Sequence, residues 1–437
     1  MYLEKQTPNV HSLQNHDKIK EKHERKQYME KIRFIHAADL HLDSPFIGLH
    51  TLPQPILQRI RQSTFQAFQT IIDQAIKYNI DFLLIAGDLF DGENRSLFAQ
   101  AKLREGFQRL EEKNIQVYII HGNHDPIQNN TRAFQYPDNV HIFSTTVEAK
   151  PFIKNGEHIA NIYGFSYPTK HVTSNMTSFY KKINENVPYH IGMLHGNLDG
   201  NSDHDPYAPF TMNELLEKEF HYWALGHIHK RQILHEHPFI IYPGNTQGRH
   251  KKEQGEKGIY FVEMEQDNQS ISFIQTSNVM WDTVTFNITN ISSIDQLVEN
   301  IKTCVEELRC NGKGILASLE VVGQNQLHHE LQDTSVITDL LYLINENEES
   351  KIDFVFVYDI LVKTSNEWNK KELEEVPFYK DFFHVVDQDK DIQEALSSLY
   401  SHNEARKYLR KLTEAELEEV KREAEQLILE ELLQERR

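Results

Sequence analysis

Strand-length apolar runs alternate with amphipathic stretches along the first third of this chain, and no other feature limits its fold as strongly. Apolar runs at 32–38, 82–86 and 115–120 predict buried strands. The stretches 55–78 and 97–113 between them have the apolar spacing of helices. Strand, helix, strand at this spacing is typical of parallel strands joined by helical crossovers. The sequence therefore predicts an α/β fold.

Further short strands are predicted after residue 160, and they lie at 162–165, 189–194, 222–225, 239–242 and 259–263. Added to the earlier elements, they favour a β-sandwich flanked by helices that ends near residue 275. We place this domain at residues 31–280.

The sequence changes character after Trp281. The elements predicted there are strands at 283–288, 315–322 and 354–362 and a helix at 294–308. They indicate a small α+β accessory domain, which we place at 281–388. Residues 389–437 are strongly charged and predict a C-terminal helical tail. Residues 1–30 are polar, and their few apolar residues do not show the regular spacing of an amphipathic element. We therefore expect a disordered N-terminal extension.

The bulk composition fits a large globular protein of the cell interior. The 437 residues suit two or three domains of about 100–200 residues each. No apolar run approaches the ~18 residues that a membrane span needs, and the N-terminal stretch lacks the apolar segment of a secretion signal. Cys304 and Cys310 fit neither a disulfide framework nor a metal-ligand spacing. We expect a reducing, cytoplasmic location and no membrane association.

The formal net charge of −19 argues against a protein that wraps nucleic acid with a basic surface. Most of this acidity falls in residues 331–437. The N-terminal part can therefore present a less repulsive face to a polyanion.

Polar residues of metal-binding type follow five of the predicted strands. In open α/β folds ligands collect at the carboxyl ends of strands, so these residues can converge on one cleft. Residues two apart in an extended chain point the same way, which suits Asp39 with His41 and His227 with His229. The candidate residues are Asp39, His41, Asp88, Asn123, His124, His195, His227 and His229.

This set mixes carboxylate, imidazole and amide groups without a thiolate, which suits Mn²⁺, Fe or Zn²⁺ better than Mg²⁺. The candidates are too many for one ion, whereas two ions that share a bridging carboxylate would use them. Two metals about 3.5–4 Å apart can hold a bridging hydroxide and the attacked phosphate oxygens in line. Their positive charge, only partly offset by Asp39 and Asp88, would attract phosphate even to an acidic protein.

Each pattern alone has an ordinary explanation. Asp-x-His is a common surface pair, Gly-Asp after a strand is usually a turn, and His-x-His is often a solvated strand edge. Asn-His-Asp can also form a turn. Their joint occurrence in this order, each after an apolar strand, favours the metal site.

These residues resemble the motifs of the calcineurin-like metallophosphoesterase superfamily, D-x-H, G-D-x-x-D, G-N-H-[DE] and G-H-x-H. The matching residues are Asp39 and His41, Asp88 and Asp91, Asn123, His124 and Asp125, and His227 and His229. The segments HAADLHL (36–42), GDLFD (87–91) and YPGN (242–245) are similar to the double-strand-break nucleases, the SbcD-like DNA repair exonucleases, in their YhaO-type branch. The resemblance covers roughly residues 31–265.

The resemblance implies a role for each residue. One divalent ion, expected to be Mn²⁺, would be held by Asp39, His41, Asp88 and His229. The second would be held by Asp88, Asn123, His195 and His227, with Asp88 as the bridge. His124 would face the scissile phosphate, and Asp91 would hydrogen-bond to it and orient it. Asn245, at the Pro-Gly-x corner, would contact substrate.

Three functions are compatible with these residues. The narrow motifs and the C-terminal extension favour a Mn²⁺-dependent DNA nuclease, a 3′-to-5′ exonuclease of DNA repair. The acidic charge favours another phosphoesterase, acting on nucleotides, phosphoproteins or lipids. A non-catalytic interaction subunit is disfavoured because no ligand position is substituted.

The C-terminal residues predict a partner-binding helix. Thr413 and Glu416 form a capping-box pattern at its start. The apolar stripe comprises Leu417, Val420, Ala424 and Leu427, widened by Ile428, Leu429, Leu432 and Leu433. The resemblance implies that such helices bind the coiled-coil root of an SMC-like ATPase, and that the chain forms a homodimer. The alternative is that the stripe packs on the accessory domain of its own chain.

Overall fold

In the computed structural model the described residues are 30–46, 49, 52–92, 95–127, 134–199, 207–266, 268–366, 370–388, 392–404, 408–410 and 412–434. The expectation of a disordered N-terminal extension at residues 1–30 lies outside this set, apart from Glu30. The chain forms two compact units, the first of which reaches Asp282 and also contains Arg309–Leu316 and Glu349–Phe354.

The first unit contains two six-stranded sheets. Its strands are β1 (Ile32–Ala37), β2 (Phe82–Ala86), β3 (Gln116–Ile120), β4 (Val140–Ile142), β5 (Glu148–Lys154), β6 (Glu157–Gly164), β7 (Tyr189–His195), β8 (Tyr222–Gly226), β9 (Gln232–Glu236), β10 (Phe239–Tyr242), β11 (Gly258–Glu265) and β12 (Asn268–Gln275). The sheet orders are β12-β11-β1-β2-β3-β4 and β5-β6-β7-β8-β10-β9. Strands β1 to β4 are parallel to one another, and so are β6, β7, β8 and β10.

The core lies between the two sheets, where apolar side chains of both inner faces meet. Phe34 and Leu84 of the first sheet belong to the same buried cluster as Ile162, Ile191 and Met193 of the second. Alternate residues of β1 and β2 point to the other face of the first sheet and form a second cluster. Because the central strands are buried on both faces, they read as continuous apolar runs, which is why they were predictable.

Helices cover the outer face of the first sheet. Helix α1 (Gln54–Lys77) and helix α2 (Leu97–Glu111) pack their apolar residues on it, and Ser96 caps α2 by accepting a hydrogen bond from the Ala99 amide. The second sheet is covered on its outer face partly by the short helix α3 (Met212–Leu216). The predicted α/β sandwich flanked by helices is confirmed.

Four strands were not predicted, and all four are edge strands. They are β4, β5, β9 and β12, which end the two sheets. Edge strands are commonly polar and half exposed, which blunts their tendency to pair with other chains. Their sequences, such as Glu148–Lys154, therefore carry no continuous apolar run.

The second unit holds Thr283–Leu308, Ala317–Glu348 and the chain from Val355 onward. A three-stranded sheet has the order β13-β14-β15. Its strands are β13 (Val279–Asn287), β14 (Gly314–Gln324) and β15 (Val355–Ser365). The helices are α4 (Ile294–Glu306), α5 (His328–Leu331), α6 (Thr334–Ile344), α7 (Lys370–Leu373), α8 (Pro377–Gln388), α9 (Ile392–Ser401) and α10 (Glu414–Gln434). The three predicted strands and α4 are found, whereas α5, α6, α7 and α8 were not predicted.

The last helix starts as expected but uses its apolar residues differently. Thr413 and Glu416 form the capping interaction, with the Thr413 amide donating to Glu416 Oε2 at 2.8 Å. Leu429 is fully buried against Tyr379 and Phe383 of α8. Leu432 and Leu433 pack partly on the same cluster.

The expectation that Leu429, Leu432 and Leu433 widen a free surface for a partner is therefore corrected. They lie three and four residues apart, so they share the helix face that meets α8. Leu427 and Ile428 point elsewhere and remain 63% and 47% exposed.

None of the helices in the described part of the chain has the length and apolar character that crossing a bilayer requires. Cys304 and Cys310 are free thiols.

We expect Phe82→Ala to lower the free energy of unfolding of the first unit by about 3–5 kcal/mol. The Phe82 ring is fully buried and stacks on Phe34 with centroids 5.0 Å apart, so its loss leaves a cavity between the sheets. The matched control is Phe98→Ala, whose ring is 59% exposed on α2 and should cost less than about 1 kcal/mol. Urea unfolding monitored by tryptophan fluorescence measures both. Equal losses in the two variants would contradict the packing described.

Candidate metal centre

The carboxyl ends of parallel strands from both sheets meet at one edge of the sandwich. The loops after β1 and β2 are joined by backbone hydrogen bonds, from the Asp39 amide to Gly87 O at 3.1 Å and from the His41 amide to Asp88 O at 3.0 Å. The Gly196 amide after β7 donates to Gly226 O of β8 at 3.2 Å. These bonds fix where the following polar side chains begin.

Four of the candidate residues have left-handed backbone conformations. The φ angles of Asp39, His41, Asp88 and His227 are +52°, +42°, +50° and +96°. The expectation that each D-x-H or H-x-H pair converges because the chain is extended is therefore wrong. The side chains converge because the chain turns sharply after each strand. A non-glycine residue in this region is uncommon and costs conformational energy, and several such residues at one site are typical of a functional site.

At two positions of the motifs only glycine fits, because neighbouring groups lie where a Cβ atom would be. A Cβ on Gly122 would overlap the Asp88 carboxylate and the His195 ring. A Cβ on Gly226 would overlap the carbonyl oxygen of Ala86, across the gap between the two sheets. The glycines of G-N-H-D and G-H-x-H therefore let the two sheets approach closely enough for their ligands to meet.

Asp39, His41 and His229 form the first group of converging ligand atoms. The Nε2 atoms of His41 and His229 face each other at 3.0 Å. Burial, and next the charge of Arg249, lowers the pKa of His41 to about 3, so its imidazole is neutral and its lone pair is available. Burial raises the pKa of Asp39. A cation between these groups would offset the cost of burying them.

Asn123, His195 and His227 form the second group. The Asn123 Oδ1 atom lies 2.9 Å from His195 Nε2 and 3.2 Å from His227 Nδ1. His195 is fully buried, and its Nδ1 lies 2.9 Å from the carbonyl oxygen of Ala86. This contact assigns the proton to Nδ1 and leaves Nε2 free to coordinate, as in histidine metal ligands generally.

Asp88 lies between the two groups. Its Oδ2 atom is 3.4 Å from His195 Nε2 and 3.7 Å from His41 Nε2. Burial raises the pKa of Asp88, but His195, with His41 and His124, holds that pKa well below its usual range. In turn burial lowers the pKa of His195, but the charges of Asp88 and Asp39 outweigh it and raise that pKa to about 9. A divalent ion at this place would replace the proton on His195.

The donor set fits divalent cations. It offers buried carboxylate oxygens, imidazole nitrogens and one amide oxygen. Three Nε2 atoms, those of His41, His195 and His229, are directed inward because the Nδ1 atom of each faces an oxygen on the other side. Such a mixture suits Mn²⁺, Fe or Zn²⁺.

His124 differs from these residues in its exposure. Its side chain is 40% exposed, whereas those of His41 and His195 are fully buried. Its amide donates to Asp88 Oδ1 at 2.9 Å, and its ring lies edge-on to the His41 ring with centroids 4.8 Å apart. His124 therefore faces the open side of the centre.

Asp91 does not form the expected hydrogen bond with His124. His124 Nδ1 lies 3.8 Å from Asp91 Oδ1. Asp91 Oδ1 lies 3.1 Å from His41 Nδ1 and pairs with the Arg249 guanidinium, and Ser44 Oγ donates to its other oxygen. Asp91 therefore orients His41, because the sharp turn after β1 brings that ring closer than His124.

Asn245 also differs from expectation. It is fully buried, and its Nδ2 donates to the Gln247 carbonyl at 2.8 Å and to Glu253 Oε2 at 2.9 Å. In this conformation it cannot contact a substrate. Its role is to hold Glu253.

Glu253 and Arg249 are the residues that sequence reasoning missed. Glu253 is 6% exposed, and its Oε1 lies 2.6 Å from His229 Nδ1. Its Oε2 accepts from the Arg249 amide at 2.6 Å. Burial raises the pKa of Glu253, but His229 and then Arg249 hold it below its usual range. A carboxylate behind a metal-binding histidine fixes the ring and strengthens it as a ligand.

Asp125 joins two of the loops. It is fully buried, and its Oδ2 accepts from the Leu89 amide and lies 3.0 Å from His121 Nδ1, while its Oδ1 accepts from the Gly122 amide. The last residue of the G-N-H-D motif therefore fixes the loop of Asn123 to the loop of Asp88.

Comparison with known proteins agrees with this geometry. The family described as calcineurin-like phosphoesterase matches residues 32–231. The uncharacterized metallophosphoesterase YhaO of Bacillus subtilis is 41% identical over 400 residues, which cover 91% of this chain and 97% of that protein. The DNA double-strand break repair protein Mre11 of Methanocaldococcus jannaschii is 28% identical over 287 residues, 62% of this chain and 73% of that protein. Mre11 of Thermoplasma acidophilum is 26% identical over 325 residues, 69% and 81% of the two chains.

The relative from Bacillus subtilis spans nearly the whole of both chains. Residues 32–231, which match the family, contain the converging carboxylate, amide and imidazole groups. On these grounds the chain belongs to the calcineurin-like metallophosphoesterase family.

Proposed function

We propose that this chain is a two-metal phosphodiesterase that hydrolyses DNA, as a 3′-to-5′ exonuclease in DNA repair. One ion would be bound by Asp39, His41, Asp88 and His229, and the other by Asp88, Asn123, His195 and His227. The observation that carries the proposal is the place of Asp88, whose carboxylate faces both ligand groups. When bound, two divalent ions supply a nucleophile at neutral pH and offset the charge that develops on the phosphate.

The chain's own residues then position the substrate and move protons. His124 is the exposed imidazole at the open side of the centre, so it can reach a phosphate or a leaving-group oxygen. There it would stabilise the transition state or protonate the leaving oxygen. Asp91, Glu253 and Asn245 are positioning residues, since each acts through a histidine ligand or its support.

The substrate class rests on the relatives. Those from Methanocaldococcus jannaschii and Thermoplasma acidophilum are named as DNA double-strand break repair proteins. The second candidate is hydrolysis of a non-DNA phosphoester, such as a nucleotide, phosphoprotein or lipid. The net charge of −19 favours that candidate, because it repels a polyanion at long range. Mn²⁺ is the ion we propose for both reactions, in a cytoplasmic enzyme.

The surface of the last helix that is free to bind a partner is smaller than the sequence predicted. We retain an SMC-like coiled-coil ATPase as the proposed partner of the C-terminal helices and a homodimer as the proposed assembly. Since Leu429 is buried against α8, the contact would use the exposed residues Leu427 and Ile428.

We expect the purified protein with Mn²⁺ to shorten end-labelled duplex DNA and to release nucleotides from its 3′ ends. A chromogenic phosphodiester serves as the parallel substrate, because it needs the metal centre but no DNA-binding surface. Denaturing gels and absorbance measure the two reactions. Hydrolysis of the chromogenic ester without any cleavage of DNA would overturn the nuclease proposal and favour the second candidate.

We expect His124→Gln to lower kcat on the chromogenic phosphodiester by at least about 100-fold and to leave two ions bound. The reason is that His124 stabilises the transition state and is not a ligand. Elemental analysis of the variant beside the parent protein measures the ions. If the metal content of the variant fell in proportion to its activity, the role assigned to His124 would be wrong.

We expect Glu253→Gln to weaken binding of one Mn²⁺ ion by about 10–100-fold and to leave the other unchanged. The Glu253 oxygens face His229 Nδ1, Asn245 Nδ2 and the Arg249 amide, which are donors, so the amide of a glutamine would oppose one of them. Isothermal titration with Mn²⁺ measures both ions. The matched control is Glu256→Gln, an exposed carboxyl in the same segment, which should bind as the parent does. Unchanged Mn²⁺ affinity in Glu253→Gln, with an unchanged Tm, would contradict this role.

A further inference from the structure

Two basic segments lie directly beside the metal centre of this acidic chain. The first is Lys230 and Arg231, which follow the proposed ligand His229. The second is His250, Lys251 and Lys252, which precede the buried Glu253. We call these five residues the basic rim. All five are exposed.

The second segment is a tight turn anchored on the centre. The Glu253 amide donates to His250 O at 2.8 Å, so Lys251 and Lys252 occupy the two central positions of the turn. His250 Nε2 lies 3.4 Å from the same Glu253 oxygen that contacts His229, while the His250 side chain is 52% exposed. The turn therefore lies against the carboxylate that contacts His229, and its two central lysines are exposed.

The first segment lies beside that turn. The Asn245 backbone amide and the Lys257 ammonium both donate to the carbonyl oxygen of His229, at 3.3 Å and 3.4 Å. These bonds tie the chain just before Lys230 to the chain that carries the turn. The Arg231 guanidinium rests over the Phe273 ring, 3.7 Å from its centroid, which holds it in place without neutralising its charge.

The lysines of the rim are not matched by carboxylates, whereas His250 Nε2 lies 3.4 Å from Glu253 Oε1. Among the residues that the structure describes, neither Lys230, Lys251 nor Lys252 has an acidic group within ion-pair distance. Several other lysines of this unit are paired, as Lys102 is with Glu105 at 2.7 Å. Exposed, unpaired cations beside a phosphoesterase centre favour a ligand that carries phosphates on either side of the reacting one.

We propose that the basic rim binds the phosphodiester backbone of the DNA substrate next to the scissile phosphate. This inference rests on the proposed nuclease function and adds the surface that the function needs. The net charge of −19 would repel DNA over most of the molecule, so backbone contacts confined to the rim would direct DNA to the metal centre. A small phosphodiester has no neighbouring phosphates and would not use the rim.

The test compares two double variants, Lys251→Gln/Lys252→Gln in the rim and Lys77→Gln/Lys113→Gln as the matched control. Lys77 and Lys113 are also exposed, but they precede β2 and β3 at the opposite end of the sheet. Binding of Ca²⁺-loaded protein to a fluorescent duplex is measured between about 50 and 200 mM salt, to separate direct phosphate binding from general charge. Hydrolysis of the chromogenic phosphodiester is measured on the same preparations.

We expect the rim variant to bind the duplex several-fold more weakly. Its plot of log affinity against log salt should be less steep by about 0.9 for each phosphate that the substituted lysines no longer neutralise. Its hydrolysis of the small ester and its Tm should equal those of the parent, and the control variant should match the parent throughout.

Equal weakening in the two double variants, or parent-like binding by the rim variant, would overturn the rim while leaving the nuclease proposal intact. A parent protein that hydrolyses the small ester but binds no duplex would overturn the nuclease proposal, and the rim with it.

Discussion

The rest of this centre depends on one buried carboxylate, that of Asp88. Asp88 is 1% exposed, and it stays ionised because imidazoles from both sheets and the His124 amide face it. A buried charge is tolerated only when it is paired and hydrogen-bonded. The loops that carry these partners must therefore meet at one point, and the sandwich brings them there by ending parallel strands of both sheets at the same edge.

The close approach of these loops restricts the backbone conformations and the residue types that they can have. Gly122 and Gly226 provide room that no side chain would leave, and Asp39, His41 and Asp88 take left-handed conformations. Asp125 holds two of these loops together from behind. The strained turns persist because the surrounding hydrogen bonds determine them. Glu253 and Arg249 extend the same support to His229 and Asp91.

The sequence was sufficient for the central strands and for the residues that meet at the centre. Runs such as Phe82–Ala86 are buried on both faces and so are uniformly apolar. The side chains that converge there were readable because they follow those runs directly. The sequence was not sufficient for the edge strands, whose polar residues carry no continuous apolar run. Nor did it predict the burial of Leu429, because the amphipathic pattern of its partner α8 was not recognised.

Glu253 was missed because its role depends on a turn that brings it behind His229, and no local motif marks that contact. Asp91 was expected to hydrogen-bond to His124, but it lies nearer to His41, at 3.1 Å against 3.8 Å.

The most direct measurement is anomalous diffraction at the manganese absorption edge from crystals of the parent protein grown with Mn²⁺. The bridging role of Asp88 predicts two peaks about 3.5–4 Å apart. One would be bound by His41 and His229, the other by Asn123, His195 and His227, and an oxygen of Asp88 would contact both. A single peak, or two peaks of which one does not contact Asp88, would contradict a centre built around that carboxylate.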